Sequence, residues 1–469
     1  MQKTLTSTGL LTLALLAAWL LPCRPAAGQE KPAELTLTDR VAQHGVTWTF
    51  SERAKVGRFV TGDPYVVGPV TIVAIAPKPE NERNGSVLNI PMASGKSGFD
   101  SRSPGGRYDP KLSVKPPIAM KPGDILLSSI SVEKVRELPA PLRPADKAMS
   151  PVRSVSALTC VAEAPPADAF RPSYADYKEP KTYLARNLRR NLLPSLPRAG
   201  IPFEIETGIK FTLDEWAKRF ERPWLDVCFF GFDAAIEYQP HYGREVGRAV
   251  GIASLLLCLD FTPEEKEKLL LGFVQYGIDL WGILRAGYPG WPAHGGHGTG
   301  RKWPIVFAGL LLGDEEMQTP KKRFPNVKFG EDMQTMYAKG WTGAKAVYAG
   351  HVGAQGSKSD KGWGAYEHTP PAEWVSNLGE AYRRTCTSLA WVGQALAARI
   401  LHAEKAWDHD AFFDYVDRWM TEDDTEHIKI IKQAKGWDYS MSWARQRQAW
   451  DPFVEAMWAK YRQRLPPSR

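Results

Sequence analysis

The chain has 469 residues, with 60 Lys and Arg against 52 Asp and Glu, 43% hydrophobic and 11% aromatic. That length accommodates two or three domains with sizeable cores, and the balanced composition excludes a disordered, collagenous or coiled-coil chain. Beyond the N-terminus no stretch approaches the roughly 18 consecutive apolar residues of a membrane helix, so no membrane span is predicted.

The N-terminus is laid out as an export signal. Lys3 supplies the positive start, Leu10 to Leu21 is almost wholly apolar, and Ala26-Ala27-Gly28 offers the small residues of a cleavage site before Gln29. Pro22 directly before Cys23 argues against lipoprotein processing. The prediction is a signal peptide over 1–28 and a soluble protein that is secreted or periplasmic. Removing that segment takes away Lys3 and Arg24 and leaves 58 basic residues against 52 acidic ones, a net +6. Such a balance suits an acidic ligand, and equally a merely basic surface. Cys160, Cys228, Cys258 and Cys386 are too few for a disulfide scaffold, although one disulfide of unread pairing stays open.

Composition shifts near residue 205. Of the 37 prolines, 24 lie at or before Pro202, whereas 15 of the 17 tryptophans lie at or after Trp216. Proline punctuates short strands and loops, and bulky aromatics fill helical cores. The first part carries β-branched or alternating runs at Val46–Phe50, Tyr65–Ala76, Gly85–Met92, Asp124–Val132 and Ser154–Ala164, bounded by turn residues. It is read as a β-sandwich-like domain over 29–164, followed by a Pro- and Arg-rich connector over 165–204.

Residues 205–469 are read as helical. Thr212 with Glu215 and Thr262 with Glu265 both fit the capping box, the second with Pro263 at the first helical position. Stripes at Leu270, Phe273, Gly277, Trp281 and Leu284, and at Leu389, Val392, Leu396 and Ile400, are core. An internal echo links two polar starts, His241-Tyr242-Gly243-Arg244 and His297-Gly298-Thr299-Gly300-Arg301. Each runs into a helix ending in a leucine triplet, Leu255–Leu257 and Leu310–Leu312. A third start lies near Ala381-Tyr382-Arg383. Repeated hairpins of this kind predict an α/α toroid or a partial one, and the overall fold class is α+β multidomain.

Polar clusters sit at these helix starts, where free N–H groups and the helix dipole favour an anion. The densest runs from Tyr288 to Lys302 and holds Trp291, His294, His297, Arg301 and Lys302 among glycines. Its competing reading is a loop whose histidines only cap the next helix. No carboxylate or Cys accompanies His294 and His297 at ligand spacing, so no metal is predicted. The glycines form no phosphate loop or dinucleotide fingerprint, and neither a cofactor nor a nucleic-acid partner is predicted. A second cluster holds Gln239, His241, Tyr242 and Arg244, suited to proton transfer and carboxylate binding. The third holds His351, Trp363, Tyr366, Glu367 and His368, in which Trp363 would stack on a sugar.

An exported β-plus-toroid chain with His, Tyr and Arg clusters resembles the α/α-toroid polysaccharide lyases, the alginate lyase and heparinase-like group. The resemblance covers roughly residues 205–420. It implies β-elimination on a uronate-containing glycan, in which a Tyr or His takes the C5 proton and a neighbouring group offsets the carboxylate charge. Gln239 and His241 resemble the family's amide-plus-His motif, Arg301 its carboxylate clamp, and Tyr366 or Tyr242 its catalytic tyrosine. The family motif has Asn where Gln239-Pro240 stands, and many members place the toroid first. The site implied is thus His241, Tyr242, His297, Arg301 and Tyr366 for catalysis. Gln239, Arg244, Trp291, His294, Lys302, Trp363 and His368 would contact an acidic polysaccharide. Two rivals are a glycoside hydrolase using Glu367 with Asp233 or Glu245 as its carboxylate pair, and a non-catalytic glycan-binding protein.

Overall fold

The computed structural model describes residues 34–91, 95–103, 106–134, 139–140, 143–147, 151–225, 236–240, 242–354, 363–374, 376–441 and 444–465. The export signal expected over 1–28, together with Cys228, Asp233 and His241, lies outside the described residues.

The N-terminal part builds its main sheet from β1 (Thr36–Gln43), β2 (Val46–Arg58), β3 (Pro64–Val67), β4 (Val70–Ala76), β5 (Ser86–Leu88), β6 (Ile118–Met120) and β7 (Ile125–Ser131). After a short pair, β8 (Pro139–Ala140) and β9 (Arg143–Lys147), comes its last strand, β10 (Val152–Val161). The order is β5-β7-β10-β3-β2-β4-β6, with β1 also on β2. Among the described strands of this sheet only β10 and β3 run parallel. The long β2 pairs with β1, β3 and β4, and register shifts at Thr38/Arg40 and Thr49/Phe50 bend it. The sheet therefore curls into a half-barrel.

This corrects the expected sandwich. Strand alternation sends Leu126, Leu158 and Cys160 into the curl beside Val46, Trp48, Phe50 and Ile72. Their neighbours Ile125, Leu127, Val155 and Ala157 face the other way, into a core shared with Phe170, Tyr174 and the helices. One curled sheet buries two faces, so a second sheet has no role. Inside the curl Trp48 Nε1 donates to Ser128 Oγ at 2.9 Å.

Past the connector come a two-stranded pair, β11 (Glu204–Ile205) and β12 (Ile209–Lys210), and then α1 (Leu213–Ala217), α2 (Gly243–Leu257), α3 (Pro263–Arg285) and α4 (Lys302–Leu312). Both capping boxes form, at Thr212 and Thr262. The expected α/α toroid is not seen. Helix makes up 39% of the structure and strand 20%, and the hairpin alternation stops at Leu312. From there to residue 387 the helices are short: α5 (Glu315–Gln318), α6 (Pro320–Arg323), α7 (Gly330–Gln334) and turns of 3-10 or π type. Small pairings β13 (Gly290–Trp291) with β14 (Lys328–Phe329) and β15 (Thr335–Tyr337) with β16 (Ala346–Tyr348) tie this region together. Pro320, Pro325, Pro370 and Pro371, with Gly313, Gly343, Gly350 and Gly353 at positive φ, explain the break, since proline does not continue a helix and a positive φ leaves the right-handed one. Long helices resume with α8 (Ser388–Ile400), then the short α9 (Glu404–Trp407), α10 (Asp410–Thr421), α11 (Thr425–Lys435) and α12 (Pro452–Tyr461). No helix among the described residues is long and apolar enough to cross a membrane.

The connector is bound into the core by charge. Arg171, 1% exposed, places its two Nη atoms on Asp279 of α3 at 3.1 and 2.6 Å and its Nε on Asp63 at 3.2 Å. One guanidinium thus joins the sheet, the connector and α3. Arg171→Met is expected to leave two buried carboxylates without their cation and to cost about 3–5 kcal/mol. The denaturant midpoint reports this, and an unchanged midpoint would rule out the bridge as a structural tie.

Candidate functional site

The loop between α3 and α4 carries the site. It opens on Trp291, which is fully buried, pairs through β13 with β14 and stacks on Phe329, and so anchors the loop. Arg301 lies beneath the loop, its Nη1 donating to the carbonyls of His297 and Thr299 at 3.1 and 2.7 Å. Glu331 accepts from the Gly300 amide, and Gln334 donates to the carbonyls of Gly295 and His351. The start of α2 closes in from the other side. A Cβ on Gly243 would collide with the carbonyl oxygens of Gly296 and His297. This contact brings two of the sequence clusters together.

Tyr242, the residue before α2, lies edge-on to His297 with ring centroids 4.8 Å apart at 88°. His297 is 5.4 Å from His294, and His294 is 4.7 Å from His351. Trp363 stands 6.2 Å from His294 and 5.8 Å from His351. Tyr242, His294, His297 and Trp363 are half-buried, so solvent reaches this assembly.

Two more members escaped the sequence reading. Tyr382 packs edge-on against His351 at 4.6 Å and 88°. The thiol of Cys386 hydrogen-bonds to the Tyr242 hydroxyl. Both belong to a stretch of π-helical turns over Ser376–Ala381 and Arg383–Thr387, a geometry that recurs at functional sites. Their spacing of four residues was the available signal.

The other candidates are engaged in bonds of their own. Gln239 donates to the carbonyls of Arg222 and Pro223. Arg244 bonds to Glu245 and the Thr385 carbonyl, with its guanidinium over the rings of Tyr242 and Trp450. Lys302 is buried, bonded to Asp332 at 2.6 Å, and its ammonium is drawn down to about 8 by burial. Tyr366 donates to Glu380 at 2.6 Å inside a buried network with Arg383 and Arg384. His368 is exposed and apart from the imidazole cluster.

The carboxylates named for hydrolysis are committed to guanidinium groups. Glu245 pairs with Arg244 and Arg248. Glu367 pairs with Arg418 and Arg383; although burial opposes it, their charge holds the carboxyl down to about 2.

Electrostatics separate the site's acids from its bases. Burial, then the positive surroundings of His294, Arg301, His351 and Arg107, lower His297 to about 3. Burial and His294 lower His351 to about 4, and burial lowers His294. Burial and the Cys386 thiol push the Tyr242 phenol upward, and burial does the same to Tyr382. At neutral pH the imidazoles are therefore free to accept protons and the phenols hold theirs. Among the described residues no group of three or more His, Cys, Asp or Glu side chains is arranged to hold a metal ion.

No protein-family model matches the chain, and no significant match exists among curated proteins or solved structures.

Two expected outcomes follow from this geometry. Cys160 and Cys258 are buried and their thiols are pushed up to about 12, whereas Cys386 is half-exposed. Under native conditions N-ethylmaleimide should modify Cys386 well before either, as peptide mass spectrometry would show; equal rates would contradict this burial. The lowered imidazoles also set a pH dependence. Below pH 6.5 the unfolded chain takes up protons that folded His297 and His351 refuse. Stability is thus complete above that pH and falls toward pH 4, by up to about 1.4 kcal/mol per pH unit per imidazole. His351→Gln should flatten that fall; an equal slope in both proteins would refute it.

Proposed function

We propose that the protein is a polysaccharide lyase that cleaves a uronate-containing glycan by β-elimination. The observation that carries the reading is the edge-on pair of Tyr242 and His297, a protonated phenol against a neutral imidazole. The reading rests on this site alone, since the fold gives no toroid to support it.

Each step has a group to perform it. A uronate carboxylate would lie in the positive surroundings that Arg107 and Arg301 create at His297. Offsetting that charge acidifies the C5–H bond. His297 removes the C5 proton, the C4–C5 double bond forms, and the C4–O4 bond breaks. Tyr242 donates its proton to the departing oxygen and regains one from the imidazolium. An imidazole lowered to about 3 is a weak base before substrate binds. A bound carboxylate adds a negative charge beside it and raises its basicity when substrate is present. Hydrolysis by Glu245 and Glu367 fits less well, because both are occupied by arginines.

The test is absorbance near 235 nm during incubation with alginate, glucuronan, pectate and glycosaminoglycans. A rise reports the unsaturated product, and reducing ends without absorbance would mean hydrolysis instead. On the substrate that responds, His297→Ala should lower kcat at least a hundredfold with little change in Tm. kcat/KM should stay level from pH 7 to pH 5, where an ordinary histidine base would lose activity. A fall with a midpoint near 6.5 would remove His297 from the role of base.

A further inference from the structure

His351 is 1% exposed, and neither of its ring nitrogens has a hydrogen-bond partner among the described residues. A buried polar group in that state is costly unless a ligand or water completes it. The carbonyl of His351 accepts from the Gly295 amide and from Gln334. The ring packs against His294, Tyr382 and Trp363. Three of its neighbours are half-buried side chains at the solvent-reached cluster, so a partner for these nitrogens would approach from that side.

The chemistry of the missing partner can be read from this ring. A neutral imidazole offers one N–H donor and one acceptor. A carboxylate would satisfy only the donor, and an ammonium only the acceptor. A hydroxyl serves either nitrogen, accepting from the N–H or donating to the bare nitrogen, and because the two nitrogens diverge the second takes another hydroxyl or a water. Trp363 beside it supplies the flat apolar wall on which the C–H face of a sugar packs. Burial keeps His351 neutral to about pH 4, so the donor–acceptor pair persists over the working range.

We infer that His351, with Trp363 and His294, forms a hydroxyl-reading sugar subsite next to the Tyr242–His297 pair. The subsite recognises the neutral part of the glycan, a ring hydroxyl, while the charge around His297 recognises the acid. This inference rests on the lyase reading for its choice of glycan, but not for the sugar contact itself.

The test uses the full chain and oligosaccharides of alginate, glucuronan, pectate and hyaluronan, with binding measured by calorimetry and cleavage at 235 nm. His351→Phe should weaken binding of the recognised oligosaccharide about tenfold to a hundredfold. Its Tm should stay equal or rise, because the ring's orphaned nitrogens are gone. Trp363→Ala, at the rim, should weaken the same oligosaccharide, and the double variant should lose less than the two effects combined. Unchanged binding in His351→Phe would overturn the subsite, leaving a buried water as the partner of its nitrogens. A large fall in Tm for His351→Phe, with full affinity kept in Trp363→Ala, would also overturn it. Binding that depends on His351 without any absorbance would sink the lyase reading alone. Absorbance with intact affinity in both variants would sink the subsite alone, and no binding to any of the four would sink both.

Discussion

The absence of side chains along one face of α2 is the constraint on which the rest of the site depends. Gly243, Gly247 and Gly251 stand four residues apart, on a helix packed against its neighbours without room for a methyl group. Gly243 meets the carbonyls of the histidine loop, Gly247 meets Thr299, and Gly251 meets the backbone of Gly393 and Gln394 on α8. Glycine in a helix interior costs roughly 0.5–1 kcal/mol relative to alanine. Here that cost is offset by close approach. The loop that carries His294 and His297 lies directly on the helix, and α8 lies on the same stripe further along. Because α8 follows the π turns, the position of Tyr382 and Cys386 is tied to the same face.

Around this contact the molecule separates two kinds of polar group. Full charges are buried in closed networks: Glu367 with Arg383 and Arg418, Glu380 with Arg383 and Arg384, Arg248 with Asp451. Breaking any of these would strand a buried charge, so they are poor places for chemistry that requires a group to change its ionisation. The imidazoles and phenols are different. They are neutral, half-buried apart from His351, and packed ring against ring. A site built of neutral groups in positive surroundings gains charge only when an anion arrives, and that makes substrate binding a condition for basicity.

Local chemistry was legible in the sequence, and long-range assembly was not. The capping boxes at Thr212 and Thr262 were readable because donor and acceptor lie three residues apart. The leucine triplets end α2 and α4, as their spacing indicated. The two hairpins do not continue as a toroid because prolines and positive-φ glycines interrupt the chain after Leu312. Tyr366 and Tyr242 look equivalent in the sequence. Their difference comes from Glu380, fourteen residues away, which takes the Tyr366 hydroxyl. Tyr382 and Cys386 lay within a stretch read as ordinary helix, and the π turns were invisible to a 3.6-residue periodicity.

The Arg171 bridge has a kinetic corollary. Arg171 is 108 residues from each of its partners, Asp63 before it and Asp279 after it, and Trp48 finds Ser128 across 80. A sheet whose outer face shares its core with the connector and the later helices cannot finish when its own strands have been made. Closing such long loops before any contact rewards them slows folding. Until Asp279 arrives, the half-barrel holds an uncovered apolar face and an arginine whose two Nη groups lack their carboxylate partner. Assembly of this chain is therefore governed by the arrival of its middle, not its beginning.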